Sequence, residues 1–388
     1  MDQQDQQNQL LIDQQDQQDP WKPKYLSIPT HKQTFSLHDN EAIPHDELKA
    51  SQKDAWSKWR DAQKKLSLRG HSVLAFCRTT ITPNCHHRAM MLTTLSLSFQ
   101  QVPKTEELRV VSAALKLMFN LKDLTVTGLF DPEKEDEDAW TLDLRKSNFT
   151  LRRFATDAQI HSMDLLDFLD AQNGIEEMKV FKSNMIPGFL LPEEILPHLQ
   201  VLECPEFVMP CFARTCGTLR PLKYVKLTLS AETMGEWGPA MHAVSKFGDT
   251  LEEFTANFSV EKGFEGFFDI PEIIDRFGKL GSWKKLNSLE FCGGHFDDAS
   301  VIAFIQSILN NFNTVESLMW VPGSVDKNTP EWIARSLYKG SASLQHFRYM
   351  DPDAAAVNGA RRCLKYCKCG EDDISKEEEW LIQSDAGA

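Results

Sequence analysis

The 388-residue chain has no apolar run near the ~18 residues that a membrane helix needs. Its first residues, Met1 to Asp5, are polar rather than the basic and apolar start of a signal segment. Its nine cysteines are scattered without the regular spacing of a disulfide framework, which is typical of a reducing compartment. We therefore expect a protein of the cytoplasm or the nucleus that has no membrane partner.

Basic residues are scarce relative to acidic ones. The chain holds 42 Lys and Arg against 56 Asp and Glu, which gives a formal net charge of −14. A strongly negative protein is repelled by nucleic-acid phosphates and by anionic membrane surfaces. The balance therefore predicts that the principal partner is not a nucleic acid.

Motifs for catalysis or metal binding are also missing. We find no Gly-x-Ser-x-Gly, no phosphate-binding Gly-rich loop and no His-Glu-x-x-His. Adjacent His residues rarely converge on one ion, and the Cys and His groups of this chain lack finger-like spacing. We predict no catalytic residue, no metal and no cofactor, while the role of the C-terminal cysteines stays open. The groups weighed were Cys77 with Cys85, His86 and His87; the loop residue His295; and Cys363, Cys367 and Cys369.

One short phrase recurs along the chain: an apolar residue, two residues of any kind, an apolar residue, one of any kind, and an apolar residue. Because 41% of the residues are apolar, the phrase alone is weak evidence. Its order is stronger evidence, since nearly every copy follows a helical stretch and the copies lie 23 to 35 residues apart. The copies start at Leu92, Leu121, Leu151, Ile175, Leu199, Leu222, Leu251, Leu286, Val315 and Leu344.

Amphipathic helices are predicted between the phrases. Apolar residues recur every three or four positions from Val301 to Phe312, and Asp297 offers an N-terminal capping oxygen. Pro271 and Pro330 stand where helices begin. The stretch Leu191-Pro-Glu-Glu-Ile-Leu196 is expected to supply the helix before Leu199.

These units predict an α/β fold. A strand of three to five residues and a helix with one apolar face cannot stand alone, and stacking the units solves both problems. We therefore expect parallel strands side by side, helices on the opposite face, and the apolar residues of each phrase between the two layers.

Two of the phrases, Leu286-Asn-Ser-Leu-Glu-Phe291 and Leu121-Lys-Asp-Leu-Thr-Val126, resemble the strand segment of leucine-rich repeats. The long, uneven spacing over residues 90–350 resembles ribonuclease-inhibitor-like proteins, and especially the irregular repeats of fungal F-box/leucine-rich-repeat proteins. The resemblance implies a leucine-rich-repeat solenoid, or horseshoe, with its parallel sheet on the concave face and its helices on the convex face. The chain departs from the family eight residues after each phrase start, where the Asn or Cys of the family is absent.

Composition divides the rest of the chain. Residues 1–43 are rich in Gln and Asp and then contain prolines, which predicts a disordered arm. Residues 44–88, with an apolar stripe from Leu48 to Leu66, predict a helical N-terminal cap over the ten irregular repeats of residues 89–350. Residues 351–388 predict a C-terminal capping helix, from about residue 354 to 366, and an acidic tail.

The resemblance implies a non-enzymatic protein–protein interaction scaffold, in one version a substrate-recognition module related to F-box proteins. No F-box is recognisable, so a Skp1-type adaptor is a partner only if the box is cryptic; whether it was lost stays open. The alternative is an enzyme with an unrecognised site in the convex loops, to which His295 or Cys85 would belong. Strand alternation predicts that the partner-binding residues of the concave face include Phe181, Tyr224, Lys226, Glu253, Glu290, Met319, Val321, His346, Arg348 and Met350.

Overall fold

Short strands alternate with helices from Lys65 onward in the computed structural model. The chain divides into two units, Met1–Trp59 and Arg60–Ala388, and all described residues belong to the second. The predicted arm and the first part of the predicted cap lie outside the described residues. The structure describes residues 64–82, 89–129, 142, 144, 147–158, 162–181, 189–213, 220–230, 237–259, 270–325, 330–350, 360–369 and 374–382.

The elements of the described part are short. The helices are α1 (His71–Thr80), α2 (Thr105–Leu115), α3 (Met163–Ala171), α4 (Trp237–Ser245), α5 (Ile270–Leu280), α6 (Asp298–Asn311) and α7 (Pro330–Gly340), with a 3-10 helix at Met209–Phe212. The strands are β1 (Lys65–Arg69), β2 (Thr94–Ser98), β3 (Asp123–Thr127), β4 (Arg153–Thr156), β5 (Glu177–Val180), β6 (Val201–Pro205), β7 (Tyr224–Ser230), β8 (Glu253–Ser259), β9 (Ser288–Gly293), β10 (His295–Phe296), β11 (Ser317–Val321), β12 (Ser324–Val325), β13 (His346–Met350), β14 (Ala360–Lys368) and β15 (Ile374–Ile382).

Thirteen of these strands form one sheet in the order of the sequence, leaving out only β10 and β12, which pair with each other. All pairs from β1 to β13 are parallel, whereas β14 and β15 join antiparallel. The sheet does not close into a barrel, because β1 and β15 stand at opposite ends of the strand order. The predicted parallel sheet is thereby confirmed; the horseshoe form stays a prediction.

The ten predicted strands also share one register. Each begins two residues after its phrase starts, and the second apolar residue of one phrase lies beside that of the next. Leu289, for example, pairs with Phe254 on one side and Leu318 on the other. Register is specified strongly here because a shift by one residue would turn every apolar side chain to the other face.

Helices cover one face of this sheet. Phe154 of β4 packs against Phe168 of α3 with ring centroids 5.4 Å apart, and Phe291 of β9 packs against Phe304 of α6 at 5.6 Å. These phenyl rings are at most 2% exposed, and full burial of such a side chain stabilises a fold by roughly 1.5–3 kcal/mol. The apolar residues of each phrase therefore fill the layer between strands and helices, as predicted. No helix among the described residues is long and apolar enough to cross a bilayer.

The helix-start signals are confirmed where they can be compared. The Asp297 side chain accepts a hydrogen bond from the Ser300 amide at 2.7 Å and caps α6. Pro330 is the first residue of α7 and Pro271 the second of α5, where a missing N–H leaves no intrahelical bond unmade.

Glycine ends two of the strands for a steric reason. Gly128 and Gly293 each stand seven residues after a phrase start and have φ of +83° and +80°. A Cβ at Gly128 would lie 2.2 Å from the Phe99 carbonyl oxygen, and one at Gly293 would lie 2.1 Å from the Phe258 carbonyl oxygen. Both the left-handed backbone and this close approach to the neighbouring strand require glycine.

The N-terminal cap differs from its prediction. Residues 65–69, expected at the end of a helix, form β1 and pair in register with β2. The first apolar position of the phrase is the polar Gln63, so the pattern is incomplete. Leu66 and Leu68 nevertheless take the core-facing positions beside Leu95 and Leu97.

The predicted C-terminal capping helix is wrong where the structure describes it, and part of the predicted acidic tail forms a strand. Residues 360–368 and 374–382 form an antiparallel hairpin that extends the sheet beyond β13. Tyr366 stacks on Phe347 of β13 with centroids 6.0 Å apart, and its carbonyl accepts a 2.6 Å hydrogen bond from the Tyr338 hydroxyl of α7. The side chains of β14 alternate between the two faces, so a period of two fits them better than a helical stripe.

The predicted helix over residues 191–196 is also wrong, since this segment consists of turns. Arg220, which is 4% exposed, takes over the hydrogen bonding that a helix would have made. Its guanidinium donates to the carbonyl oxygens of Pro192 at 2.6 Å, Ile195 at 2.8 Å and Phe212 at 3.1 Å. Buried carbonyls need donors, and one planar cation supplies several of them.

Candidate protein-binding face

The strand side chains that point away from the helices form the open face of the sheet. They stand two, four and six residues after each phrase start, as strand alternation predicts. The pairing places them in rows across the strands. One row runs Tyr224, Glu253, Ser288, Ser317 and His346, and the next runs Lys226, Thr255, Glu290, Met319 and Arg348.

Nine of the ten predicted binding residues are partly or fully exposed. Glu253 and Phe181 are exposed, the latter to 44%, and seven others are half-buried. Met350 is the exception at 4%, because β14 adds a further strand beside it with Cys363 directly opposite. Met350 is therefore removed from the candidate surface. The half-buried residues are Tyr224, Lys226, Glu290, Met319, Val321, His346 and Arg348.

Phe181 and Tyr224 are the two aromatic residues among the ten predicted binding residues. Strand β6 lies between the strand that precedes Phe181 and the strand that holds Tyr224. Two strand spacings separate them by roughly 10 Å. The structure therefore does not bring these two side chains together.

Charges on the first strands of the open face pair with one another. The Arg153 guanidinium donates to both carboxylate oxygens of Asp123, at 2.8 and 2.6 Å. This hydrogen bonding from Arg153 lowers the pKa of the Asp123 carboxyl below its ordinary value. Farther along, the Lys179 ammonium lies 2.7 Å from Glu203 and 3.7 Å from Glu177. These charges have partners within the chain and need no ligand.

The centre of the open face is a hydrogen-bonded cluster around Glu290. Thr255, which is 3% exposed, donates to one oxygen of this carboxylate at 3.1 Å, and the Cys292 thiol donates to the other at 3.3 Å. Burial, and then the Glu290 charge, raise the pKa of the Cys292 thiol above its ordinary value. Burial also raises the pKa of the nearby Tyr224 hydroxyl to about 12. These groups stay protonated near neutral pH and act as hydrogen-bond donors.

Beyond this cluster lies a part of the face with few charges, which we name the C-terminal window. Its members are Ser288, Ser317, Met319, Val321 and His346. Met319 sits between a carboxylate and a guanidinium, because its neighbours across the strands are Glu290 and Arg348. Partly exposed apolar side chains framed by opposite charges are the kind of surface that anchors a protein partner.

Arg348 holds an unused hydrogen-bond donor at the edge of this window. Its Nε is buried and has no hydrogen-bond partner among the described residues, and Glu379 Oε2 lies 3.6 Å away. The Arg348 side chain as a whole is 36% exposed, so a partner would contact its exposed part rather than the buried Nε.

The hairpin that the sequence did not predict completes this end of the face. Lys365 of β14 lies opposite Arg348 and 3.3 Å from Glu377 of β15. The Lys365 ammonium donates hydrogen bonds to Glu377 and then to Glu379, which raises its pKa. The basic residues of β14 and the run of three acidic residues in β15, Glu377 to Glu379, were the sequence signal for this pair of strands.

Among the described residues, no group of three or more Cys, His, Asp or Glu side chains is placed to hold a metal. Of the C-terminal cysteines, Cys363 is buried, Cys367 is half-buried and Cys369 is exposed. Cys77 is buried, which raises its pKa to about 12. Cys85, His86, His87 and the side chain of His295 lie outside what the structure describes. That these groups hold no metal and take no part in catalysis stays a prediction.

No known family model matches the chain, and no curated protein matches it.

Proposed function

We propose that the protein is a non-enzymatic protein-interaction scaffold of the leucine-rich-repeat type, which binds its partner on the open face of the sheet. The in-register stacking supports this proposal, since it lines up side chains of ten units in continuous rows. Such a surface is well suited to an extended or folded protein partner. The mixture of both charge signs on the face favours protein over nucleic acid.

The C-terminal window is the part of the face that contacts the partner. We choose this part of the face because of Met319, which is half-buried and lies between Glu290 and Arg348 on the neighbouring strands. Charges nearer the first strands form hydrogen-bonded ion pairs within the chain, whereas Arg348 Nε meets Glu379 only at 3.6 Å and has no hydrogen bond among the described residues. The matching partner surface carries an apolar side chain for Met319 and Val321 and a carboxylate for Arg348.

One version of this function is substrate recognition in an F-box protein. The resemblance of the repeats favours it. A box would fall within residues 20–85, of which residues 64–82 contain β1 and α1 and the others lie outside the described residues. In that version a Skp1-type adaptor binds elsewhere on the chain while the open face holds the substrate. A pull-down that recovers a Skp1-type adaptor with the protein would support this version, whereas its absence would leave a general scaffold.

Proximity labelling with mass spectrometry, followed by capture with purified variants, tests the proposal. The window variant is Met319→Ala with Arg348→Glu. Its matched control is Thr125→Ala with Arg69→Glu, which makes the same kinds of change on the first strands of the same face. Partners captured by the wild type should be lost by the window variant and kept by the control.

Folding must be equal in the three proteins, as judged by their thermal midpoints. If the window variant captures the same partners as the wild type, the window is not the binding site. If both variants lose them equally, the site is not confined to this end of the face.

A further inference from the structure

A thiol and an imidazole face each other on the open face. His346 of β13 and Cys367 of β14 are directly opposite residues of adjacent antiparallel strands. The Cys367 Sγ lies 3.6 Å from His346 Nδ1, and both side chains are half-buried. A nucleophile within hydrogen-bonding reach of a base is the arrangement that activates cysteine for reaction.

The other described thiols lack this arrangement. Cys77, Cys204, Cys211 and Cys363 are buried. Cys292 is partly exposed, but its thiol is hydrogen-bonded to the Glu290 carboxylate, which disfavours loss of the proton.

The last described thiol is Cys369, which is exposed and lies 3.7 Å from the Cys367 carbonyl oxygen. It contacts no base among the described residues that matches His346. Cys367 is thus the described thiol that combines access with an adjacent base.

Lys365 stands two residues away on the same strand, but its ammonium lies 3.3 Å from Glu377 and 3.4 Å from Glu379, which balance its charge. The neighbouring imidazole is therefore the feature that distinguishes Cys367 from the other described thiols.

We propose that Cys367 is a nucleophilic thiol that reacts with hydroperoxides, with His346 as the base. The sulfur attacks the terminal peroxide oxygen, the O–O bond breaks, and the thiol proton passes through His346 Nδ1 to the leaving oxygen. With hydrogen peroxide the products are one cysteine sulfenic acid and one water. The reaction requires no protein partner, although His346 also belongs to the C-terminal window, so a partner bound there would cover the site.

The sequence allows each thiol to be followed separately. Arg362, Lys365 and Lys368 separate the three C-terminal cysteines, so trypsin releases Cys363, Cys367 and Cys369 on different peptides. The full-length protein is treated with hydrogen peroxide, the sulfenic acid is trapped with dimedone, and the rate of labelling at each cysteine is measured by mass spectrometry.

We expect Cys367 to be labelled at least about tenfold faster than Cys292 and Cys369, because base assistance contributes factors of this order or more. His346→Gln, which keeps the side-chain volume near that of imidazole, should lower labelling at Cys367 by at least about tenfold. Labelling at Cys369 should not change, which makes it the internal control for peroxide dose and for folding of the hairpin.

Equal labelling of Cys367 in the wild type and in the His346→Gln variant would overturn the role of the imidazole. Faster labelling of Cys292 or Cys369 than of Cys367 in the wild type would overturn the site itself. That second comparison uses only the unmodified protein, so the proposal stays refutable even if the variant fails to fold.

Discussion

Replacing Arg220 by Met tests how two units without a regular helix are held to the sheet. The guanidinium is buried and donates to the carbonyl oxygens of Pro192, Ile195 and Phe212 at 2.6 to 3.1 Å, with a longer 3.4 Å contact to that of Leu191. Met fills much of the same volume but donates no hydrogen bond. Each buried carbonyl oxygen that is left without a donor costs about 1–3 kcal/mol. Removing the guanidinium also removes the cost of burying its charge, which offsets part of that loss. We expect a net loss of about 2–5 kcal/mol in the free energy of unfolding.

Urea denaturation of the full chain, followed by circular dichroism, measures this loss. The matched control is Arg152→Met, because the Arg152 side chain is 69% exposed and pairs at 2.7 Å with Glu176 on the surface. Exposed ion pairs contribute about 0–1 kcal/mol, so the control should stay near the wild type. Arg220→Lys should fall between the two, since an ammonium cannot serve several carbonyls in fixed directions. If Arg220→Met is as stable as the control, the guanidinium does not hold these turns.

Leu289→Ala should lower the free energy of unfolding by about 2–5 kcal/mol, because the side chain is fully buried; an unchanged thermal midpoint would refute the register. Gly293→Ala should cost more than about 2 kcal/mol through its positive φ and its steric overlap, while Gly238→Ala, with open space around it, should cost nothing measurable by urea denaturation. The lowered pKa of Asp123 contributes stability that is present above the unfolded carboxyl pKa of about 3.9 and is lost as pH falls through the lower folded pKa. Arg153→Gln should therefore lose less thermal stability than the wild type between about pH 5 and pH 2; an identical acid dependence would show that the pair does not set it.

The sequence predicted the part of the fold that depends on local pattern. Each phrase carries its own apolar residues at fixed spacing, and each unit must bury them against the next one. That requirement is enough to place ten strands side by side and to orient the open-face rows. It predicted the strand neighbours of Met319, because these follow from the register alone.

The missed features depend on contacts between distant residues. β1 was missed because Gln63 interrupts the phrase, although pairing with β2 still places Leu66 against the core. The C-terminal hairpin was missed because its strands are chosen by cross-strand charge pairs, a tertiary effect that overrides local propensity. Arg220 finds its carbonyl partners 8 to 29 residues away, and no sequence spacing indicates them. The burial of Met350 follows directly from the missed hairpin.

The in-register parallel stack is the central claim, since the rows of the open face exist only if it is correct. An engineered disulfide between Ser96→Cys and Thr125→Cys tests it most directly, because these residues are direct neighbours on β2 and β3. Neighbouring strands lie ~4.8 Å apart, within the Cα separation of a disulfide. A second pair, Thr94→Cys with Thr127→Cys, is offset by four residues and therefore by roughly 13 Å along the strands. We expect the first pair to cross-link under mild oxidation and the second to stay reduced. Cross-linking of the offset pair, or failure of the in-register pair, would contradict the stack.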